Sequence, residues 1–175
     1  MEVNGKHFKQ CLSRQDLLAI VQRLGAQITA DYRHRKPLLC PVLTGSYIFA
    51  ADLTRQLGFD AHVQFVKYTS YSGLASTGVV KADIPFTDSC RGRDVIIIED
   101  IVETGISMAY MLQQLQQFNP ASVAVCTMFF KPDRFQQDFK IDYIGQSIGN
   151  DFILGYGLDY DGYGRLLPEL YVLDE

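Results

Sequence analysis

The stretch DVIIIEDIVETGISM, residues 94–108, decides the fold class of this chain. Its apolar residues 95–98 are typical of a buried strand, and they end at two adjacent acids, Glu99 and Asp100. A third acid, Glu103, leads into a loop of small and polar residues at 104–107, after which apolar residues recur at helical spacing. Such a strand, loop and helix suit a sugar phosphate, because carboxylates bind ribose hydroxyls or a hydrated cation. The helix start offers free amides and a partial positive charge to phosphate.

Apolar strands alternate with helices along most of the chain. Ser13 and Asp16 form a capping signal for a helix predicted over roughly 13–33, and a second helix is predicted at 47–57. Further strands are predicted at 38–43, 62–68, 123–130, 142–147 and 152–156, with a polar loop over 69–80. This alternation predicts an α/β fold with a mainly parallel twisted sheet flanked by helices. Ligands of such sheets bind beyond the carboxyl ends of the strands, where the strand order reverses.

Composition limits the function classes. The chain has 175 residues, enough for one domain with a core, and a net charge of -4, which gives no general attraction to nucleic acid or anionic membrane. No apolar stretch approaches the ~20 residues needed to span a bilayer. The first ten residues lack the apolar segment of a secretory signal, so a cytoplasmic location is expected. The scattered cysteines and histidines match neither a CxxC pair nor an HExxH zinc site.

Several pieces of sequence, in this order, resemble one known family. They are VLTGSYIFAADL at 42–53, Ser70-Tyr71, VIIIEDIVETGIS at 95–107, KPDR at 131–134 and DFILGYGLDYDGYGRLLPEL at 151–170. From about residue 37 to its end, the chain resembles the type I purine phosphoribosyltransferases, in particular the hypoxanthine (hypoxanthine-guanine) branch. The resemblance implies transfer of phosphoribose from phosphoribosyl diphosphate to a purine, with Mg²⁺. It also implies a single domain over 1–175 with a small hood, formed partly by about 131–175, and a homodimer or homotetramer.

The resemblance also assigns residues to phosphoribosyl diphosphate. Two loops would hold its phosphates, a mobile loop would close over it, and the acidic pair would face its ribose. The implied residues are Thr44, Gly45, Ser70, Tyr71, Glu99, Asp100, Thr104, Gly105, Ile106, Ser107 and Arg165. Arg134 is a weaker candidate for the same diphosphate contact as Arg165. Glu99, Asp100 and Asp159 are the implied Mg²⁺ ligands, and the peptide bond between Leu43 and Thr44 is expected to be cis by the same resemblance.

Glu103 is the main departure from the family, which usually has Asp at this position near N7 of the purine. Glu keeps the carboxylate and adds a methylene, so its reach differs. The expectation is that Glu103 remains the general acid/base. A smaller departure is Ile106, where many relatives carry Lys; this position is expected to act through its backbone.

Three further residues are implied for the purine. Lys131 would donate to the 6-oxo group, Phe152 would stack on the base, and the backbone of Ile153 would read its edge. A donor at this point favours hypoxanthine or guanine over adenine.

Three alternatives stay open: a transferase for xanthine or a pyrimidine, a nucleic-acid-binding regulator that senses phosphoribosyl diphosphate, and a dinucleotide dehydrogenase. The lack of GxGxxG after the first strand argues against the last, and the lack of a basic run argues against the second.

Overall fold

The structure is a computed structural model that describes residues 1–70 and 80–174, without the side chains of Ser70 and Val80. Three helices are present in this part of the chain: α1 (Arg14–Tyr32), α2 (Tyr47–Thr54) and α3 (Ile106–Gln116). The strands are β1 (Glu2–Val3), β2 (Lys6–Leu12), β3 (Leu38–Pro41), β4 (His62–Val63), β5 (Lys67–Ser70), β6 (Val80–Ile84), β7 (Asp94–Val102), β8 (Ser122–Phe130), β9 (Tyr143–Ser147), β10 (Ile153–Leu154) and β11 (Leu170–Leu173). None of the helices in the described residues has the length and apolar character that a bilayer crossing requires.

The main sheet has five parallel strands in the order β4-β3-β7-β8-β9. From β3 the chain moves outward to β4, whereas from β7 it moves the other way to β8 and β9, so the strand order reverses between β3 and β7. The loops after these two strands therefore lie where a ligand of an open parallel sheet is expected. The predicted α/β class with a mainly parallel sheet flanked by helices is confirmed.

Strand β7 is buried on both faces, as a central parallel strand should be. Ile96 and Ile98 pack with α1 and α2 on one side, and Val95 and Ile97 pack with α3 on the other. The strand extends to Val102, beyond the predicted end at Glu99. The extension arises because Ile101 and Val102 pair with β8 after the acids, so Glu99 and Asp100 interrupt an otherwise apolar strand.

Of the two predicted helices in the first 60 residues, the start of the first agrees with the structure and the end of the second does not. The capping box is confirmed, since Ser13 Oγ accepts from Asp16 N at 3.2 Å and Asp16 Oδ2 accepts from Ser13 N at 2.9 Å. Helix α2 ends at Thr54, earlier than predicted, because the Gln56 amide donates to the Leu53 carbonyl in a tighter turn.

A second, antiparallel sheet has the order β1-β2-β11-β10. It joins the first residues of the chain to the last, and the sequence reading contained neither β2 nor β11. In β2 only Phe8 is fully buried, so the alternation that reveals a strand is almost absent.

The predicted strand at 62–68 is divided in the structure. β4 belongs to the main sheet, whereas β5 turns away and pairs with β6 as an antiparallel hairpin. Tyr68 explains the change of direction, because its ring packs against Phe86 and Tyr110 at centroid distances of 5.7 and 6.2 Å. The loop predicted over 69–80 thus begins inside a hairpin. Residues 71–79, including Tyr71, lie outside the described residues.

Candidate active site

The acidic pair stands near the carboxyl end of β7, with both side chains half-buried. Glu99 Oε1 accepts from the Asp100 amide at 3.0 Å, and Asp100 Oδ1 accepts from the Ile101 amide at 2.7 Å. Burial, followed by the nearby charge of Asp100, raises the pKa of Glu99 well above its usual range. Burial also raises the pKa of Asp100, although hydrogen bonds and the charge of Arg165 oppose this shift.

The acidic pair is electrostatically unfavourable in the protein alone, and it suits a ligand that is cationic or bears hydroxyl groups. Two adjacent, partly desolvated carboxylates repel one another, and a cation or hydroxyl donors would relieve the repulsion. Mg²⁺ prefers oxygen ligands, commonly one or two carboxylates completed by water and substrate phosphates. Glu99 and Asp100 therefore fit Mg²⁺ as a partial set of ligands.

Replacing Glu99 with Gln should raise the melting temperature. Because the pKa of Glu99 is raised in the folded protein, its charge destabilises the fold above that pKa and has no such cost below the unfolded value of about 4.3. We expect a gain of a few degrees at pH 8, where about 1 kcal/mol corresponds to roughly 2–4 °C, and a smaller gain as the pH falls toward 5. Calorimetry across this pH range measures the effect.

Asp94→Asn is the matched control, since Asp94 lies at the other end of β7 and has a cationic partner in Arg35 at 3.5 Å. The control should not be stabilised. A Glu99→Gln variant less stable than the wild-type protein at pH 8 would contradict the interpretation of the pair.

The loop at 103–107 forms a cradle at the start of α3. Gly105 is the residue before the helix, with φ of 79°, a left-handed conformation that favours glycine, and it has no side chain to cap the helix start. The Ile106 amide has one long contact, to Thr104 Oγ1 at 3.5 Å. A Cβ atom here would also come within 2.6 Å of the Phe135 ring. A pocket of about 210 Å³ is lined by residues 99 and 101–108. Amides at a helix start together with the Thr104 and Ser107 hydroxyls give this pocket the chemistry of a phosphate site.

The segment at 135–137 covers this cradle. The Gln136 amide donates to the Thr104 carbonyl at 3.2 Å, which fixes the segment beside the loop. The side chain of Ile106 is exposed, and its amide contacts Thr104 Oγ1 at 3.5 Å. A binding role for this amide stays a prediction.

A second loop, at 43–46, meets the acidic pair from β3. The peptide bond between Leu43 and Thr44 is cis, as predicted. The buried Ser46 hydroxyl donates to the Val42 carbonyl at 2.6 Å and so closes the turn. A Cβ atom on Gly45 would overlap the Asp100 carboxylate, so glycine is required for this contact.

The C-terminal segment packs against the same loop. Gly157, with φ of 101°, lies so close to the Gly45 carbonyl that a Cβ atom would overlap it. Tyr156 strengthens this connection, because its hydroxyl donates to Asp52 Oδ2 of α2 at 2.9 Å. The sequence reading assigned no role to Gly157 or Tyr156, and the GYG sequence at 155–157 was the available signal.

Arg165 lies on the other wall of a pocket of about 460 Å³ that Thr44 also lines. Its guanidinium donates to the Gly157 carbonyl at 2.8 Å and pairs with Asp159 at 2.6 Å. Arg165 therefore faces the loop that was predicted to hold the diphosphate. Asp159 is engaged by Arg165 and by the Gly162 amide at 2.7 Å.

The structure does not place Asp159 in one cluster with the acidic pair. Within 1–70 and 80–174 no group of three or more His, Cys, Asp or Glu side chains is arranged to hold a metal ion. A metal role for Asp159 stays a prediction.

The Glu103 carboxylate contacts two cationic side chains, those of Lys131 and Arg134. Lys131, only 3% exposed, donates from Nζ to Glu103 Oε1 at 2.9 Å, and Arg134 lies 3.3 Å from Oε2. The Lys131 amide donates to the Val102 carbonyl at 3.0 Å, so the backbones on both sides of the contact are joined as well. The structure thus brings the predicted acid/base and the predicted purine donor into direct contact. Sequence reading had treated Arg134 only as a weaker candidate for a diphosphate contact.

Phe152 and Ile153 lie at the edge of the small sheet. The Phe152 ring is 42% exposed and leans on Tyr160 and Phe8, with centroids 5.7 and 6.3 Å away. Ile153 is buried and pairs with Val172 in β11. An exposed aromatic ring held by two others is suited to stacking on a planar base. Of the remaining predicted residues, Ser70 is described only as the last backbone position of β5.

Comparison with known proteins supports one family. A sequence model of the phosphoribosyl transferase domain matches residues 7–161. The chain is 39% identical over 168 residues to a hypoxanthine-guanine phosphoribosyltransferase of Streptococcus agalactiae serotype V, with 95% of this chain and 93% of that protein covered. It is 37% identical over 170 residues to a protein of the same name from Mycobacterium bovis, with 93% and 84% covered.

A solved structure leads to the same family. The crystal structure of a hypoxanthine phosphoribosyltransferase from Staphylococcus aureus has a TM-score of 0.89 and 34% identity, covering 95% of this chain and 91% of that one. The resemblance found in the sequence motifs is thereby confirmed. The chain belongs to the phosphoribosyl transferase domain family and, within it, to the hypoxanthine-guanine phosphoribosyltransferases.

Proposed function

We propose that this enzyme transfers the 5-phosphoribosyl group from phosphoribosyl diphosphate to hypoxanthine, and also to guanine, with release of diphosphate, as a step of purine salvage. The observation that carries the proposal is the convergence of two anion-binding loops on one acidic pair. Gly45 touches the Asp100 carboxylate on one side, and the cradle at Gly105 follows the same strand on the other. A substrate with phosphate groups at both ends of a pentose suits this arrangement.

In the proposed complex the 5′-phosphate occupies the cradle at 104–107, and the ribose hydroxyls face Glu99 and Asp100. The diphosphate lies between the loop at Thr44 and Gly45 and the guanidinium of Arg165, which suits phosphate in a bidentate contact. Bound Mg²⁺ would neutralise the charge of the leaving diphosphate, with Glu99 and Asp100 as its protein ligands and Asp159 as a proposed third.

The proposed reaction breaks the bond between C1′ and the diphosphate oxygen and forms a bond between C1′ and a purine nitrogen. The purine loses one proton, and Glu103 accepts or returns a proton at N7 as general acid/base. Lys131 donates to the 6-oxo group while Phe152 stacks on the base and the backbone of Ile153 contacts its edge. The acidic groups at the ribose also favour the positive charge that develops on the sugar.

We further propose that the small sheet, with the segment from about 131 to 175, forms a hood over the purine. Tyr71, with Ser70, is proposed to close over phosphoribosyl diphosphate. We also propose that the chain assembles as a homodimer or homotetramer in the cytoplasm. Val63, Phe65 and Ile84 are exposed and line one groove, which gives an apolar surface that another copy would cover.

A base-panel assay tests the proposed function. Hypoxanthine, guanine, xanthine, adenine and uracil are each supplied with phosphoribosyl diphosphate and Mg²⁺, and diphosphate release is followed. We expect hypoxanthine and guanine to react fastest. Adenine should react at least roughly 10²-fold more slowly, because its amino group leaves Lys131 without an acceptor.

A preference for adenine, xanthine or uracil would contradict the proposed base. The absence of diphosphate release with every base tested, combined with salt-dependent binding of RNA or DNA, would favour the regulator instead.

A further inference from the structure

The carboxylate of Glu103 is held at both of its oxygens. Lys131 Nζ donates to Oε1 at 2.9 Å, and a guanidinium nitrogen of Arg134 lies 3.3 Å from Oε2. The Lys131 contact is a hydrogen bond and the Arg134 contact is an ion pair, so Oε2 keeps lone pairs for the purine. The two contacts restrain the plane of the carboxylate, whereas a single contact would leave it free to rotate.

This second contact matters because Glu has one more rotatable side-chain bond than the Asp usual in the family. Each added rotamer must be lost when the carboxylate is aligned with N7 of the purine. A reacting group misplaced by about 1 Å can lower a rate about 10²-fold. A Glu at position 103 therefore gains more from a second anchor than an Asp would.

The backbone places Arg134 for this contact. Residues Pro132–Arg134 form a single 3-10 turn, and the Arg134 amide donates to the Lys131 carbonyl at 3.1 Å. The Lys131 amide is in turn bound to the carbonyl of Val102, the neighbour of Glu103. Both cationic side chains thus come from one short segment that is hydrogen-bonded to the end of β7, directly before Glu103.

Stability is a weak explanation for the Arg134 contact. The Arg134 side chain is 47% exposed and Glu103 is 37% exposed, and ion pairs at this exposure contribute only about 0–1 kcal/mol. Arg165, by contrast, faces the pocket beside Thr44, where the diphosphate is proposed to lie. The position of Arg134 indicates a different duty from that of Arg165.

We propose that Arg134 is a positioning residue that orients the Glu103 carboxylate for proton transfer with the purine. This inference rests on the proposed function, since it concerns the same reaction. It predicts that Arg134 acts on kcat through Glu103 and leaves the binding of phosphoribosyl diphosphate nearly unchanged. If Arg134 were instead a second diphosphate anchor, its replacement would weaken the binding of phosphoribosyl diphosphate and leave kcat nearly unchanged.

Steady-state kinetics of the purified full-length enzyme with hypoxanthine separate these roles. We expect Arg134→Gln to lower kcat about ten- to a hundredfold, with KM for phosphoribosyl diphosphate within about twofold of wild type. Arg134→Lys should recover part of the loss, because an ammonium group still reaches one oxygen. Arg91→Gln is the matched control: Arg91 is also an exposed arginine paired with an acid, Asp88 at 2.7 Å, and it precedes β7 at the opposite end of the sheet. It should behave as wild type.

A double-mutant cycle tests whether Arg134 acts through Glu103. In a Glu103→Asp background the shorter side chain no longer spans both cations, so Arg134→Gln should cost at most a few-fold. The proposal is overturned by equal losses in both backgrounds, by an unchanged kcat in Arg134→Gln, or by a raised KM for phosphoribosyl diphosphate with kcat retained. A wild-type enzyme inactive with every purine would contradict the proposed function itself, and this is measured before any variant.

Discussion

We expect replacement of Glu103 with Gln to lower the turnover of nucleotide formation by about 10²- to 10⁴-fold, the usual contribution of a general acid/base. Gln keeps an oxygen that can accept from Lys131, but it carries no charge and neither accepts nor returns a proton. Binding of phosphoribosyl diphosphate should change little, because the loops at Gly45 and Gly105 and the acidic pair remain intact. Rapid-mixing kinetics and calorimetric titration with phosphoribosyl diphosphate measure the two quantities separately.

Glu169→Gln serves as the control for Glu103→Gln. Glu169 is half-buried and accepts from the Tyr171 hydroxyl at 3.2 Å, and neither residue belongs to the loops at 43–46 and 103–107. Its replacement makes the same chemical change and should leave turnover near that of wild type. Unchanged turnover in Glu103→Gln would remove Glu103 from the proton transfer.

Replacing Gly45 with Ala should lower kcat/KM for phosphoribosyl diphosphate by about 10²-fold or more, because the added methyl group overlaps the Asp100 carboxylate. Either the loop moves away from the acidic pair or Asp100 rotates and loses its 2.7 Å bond to the Ile101 amide. Both movements separate the proposed diphosphate site from the proposed ribose site. The measurement is kcat/KM, with a direct titration of phosphoribosyl diphosphate in the presence of Mg²⁺.

Gly149→Ala is the matched control for Gly45→Ala. A Cβ atom at Gly149 would meet only the Asp151 carboxylate, at an ordinary contact distance of 3.7 Å. This variant should keep nearly full activity. If Gly45→Ala binds and turns over phosphoribosyl diphosphate as wild type does, the contact between the loop and Asp100 has no role in binding.

The central strand and its acids could be predicted from sequence because their signal is local. Four consecutive apolar residues before Glu99 and Asp100 are enough to indicate a buried strand with a polar end, and Gly105 before apolar helical spacing indicates a helix start. The cis bond at Leu43 and the contact between Glu103 and the segment of Lys131 needed more than local pattern. The first came from the family resemblance, and the second is visible only in the structure.

The small sheet and the hairpin were missed for a different reason. Strand β2 is sandwiched between β1 and β11, which lies at the far end of the chain, and only Phe8 on it is fully buried. β5 leaves the main sheet through tertiary packing of Tyr68 on Phe86 and Tyr110. Pairings between distant segments leave little trace in a local hydrophobic pattern.

Gly157 and Arg134 show the same limit within the site. The contact that indicates a role for each residue is made with a neighbour far away in sequence. Gly157 contacts the Gly45 carbonyl, and Arg134 contacts the second oxygen of Glu103. A glycine or an arginine has many uses in a protein, and only the partner identifies which one applies. The contact of Arg134 with Glu103 is the basis for proposing that it orients this carboxylate and does not bind the diphosphate.

The most direct measurement is a crystal structure of the enzyme with phosphoribosyl diphosphate and Mg²⁺. We expect the 5′-phosphate within hydrogen-bonding distance of the amides at 104–107, the ribose hydroxyls beside Glu99 and Asp100, and the diphosphate between Gly45 and Arg165. Density for the sugar phosphate elsewhere would contradict this assignment. The pocket of about 320 Å³ lined by Cys11, Gln146 and Asp151 would be one such place.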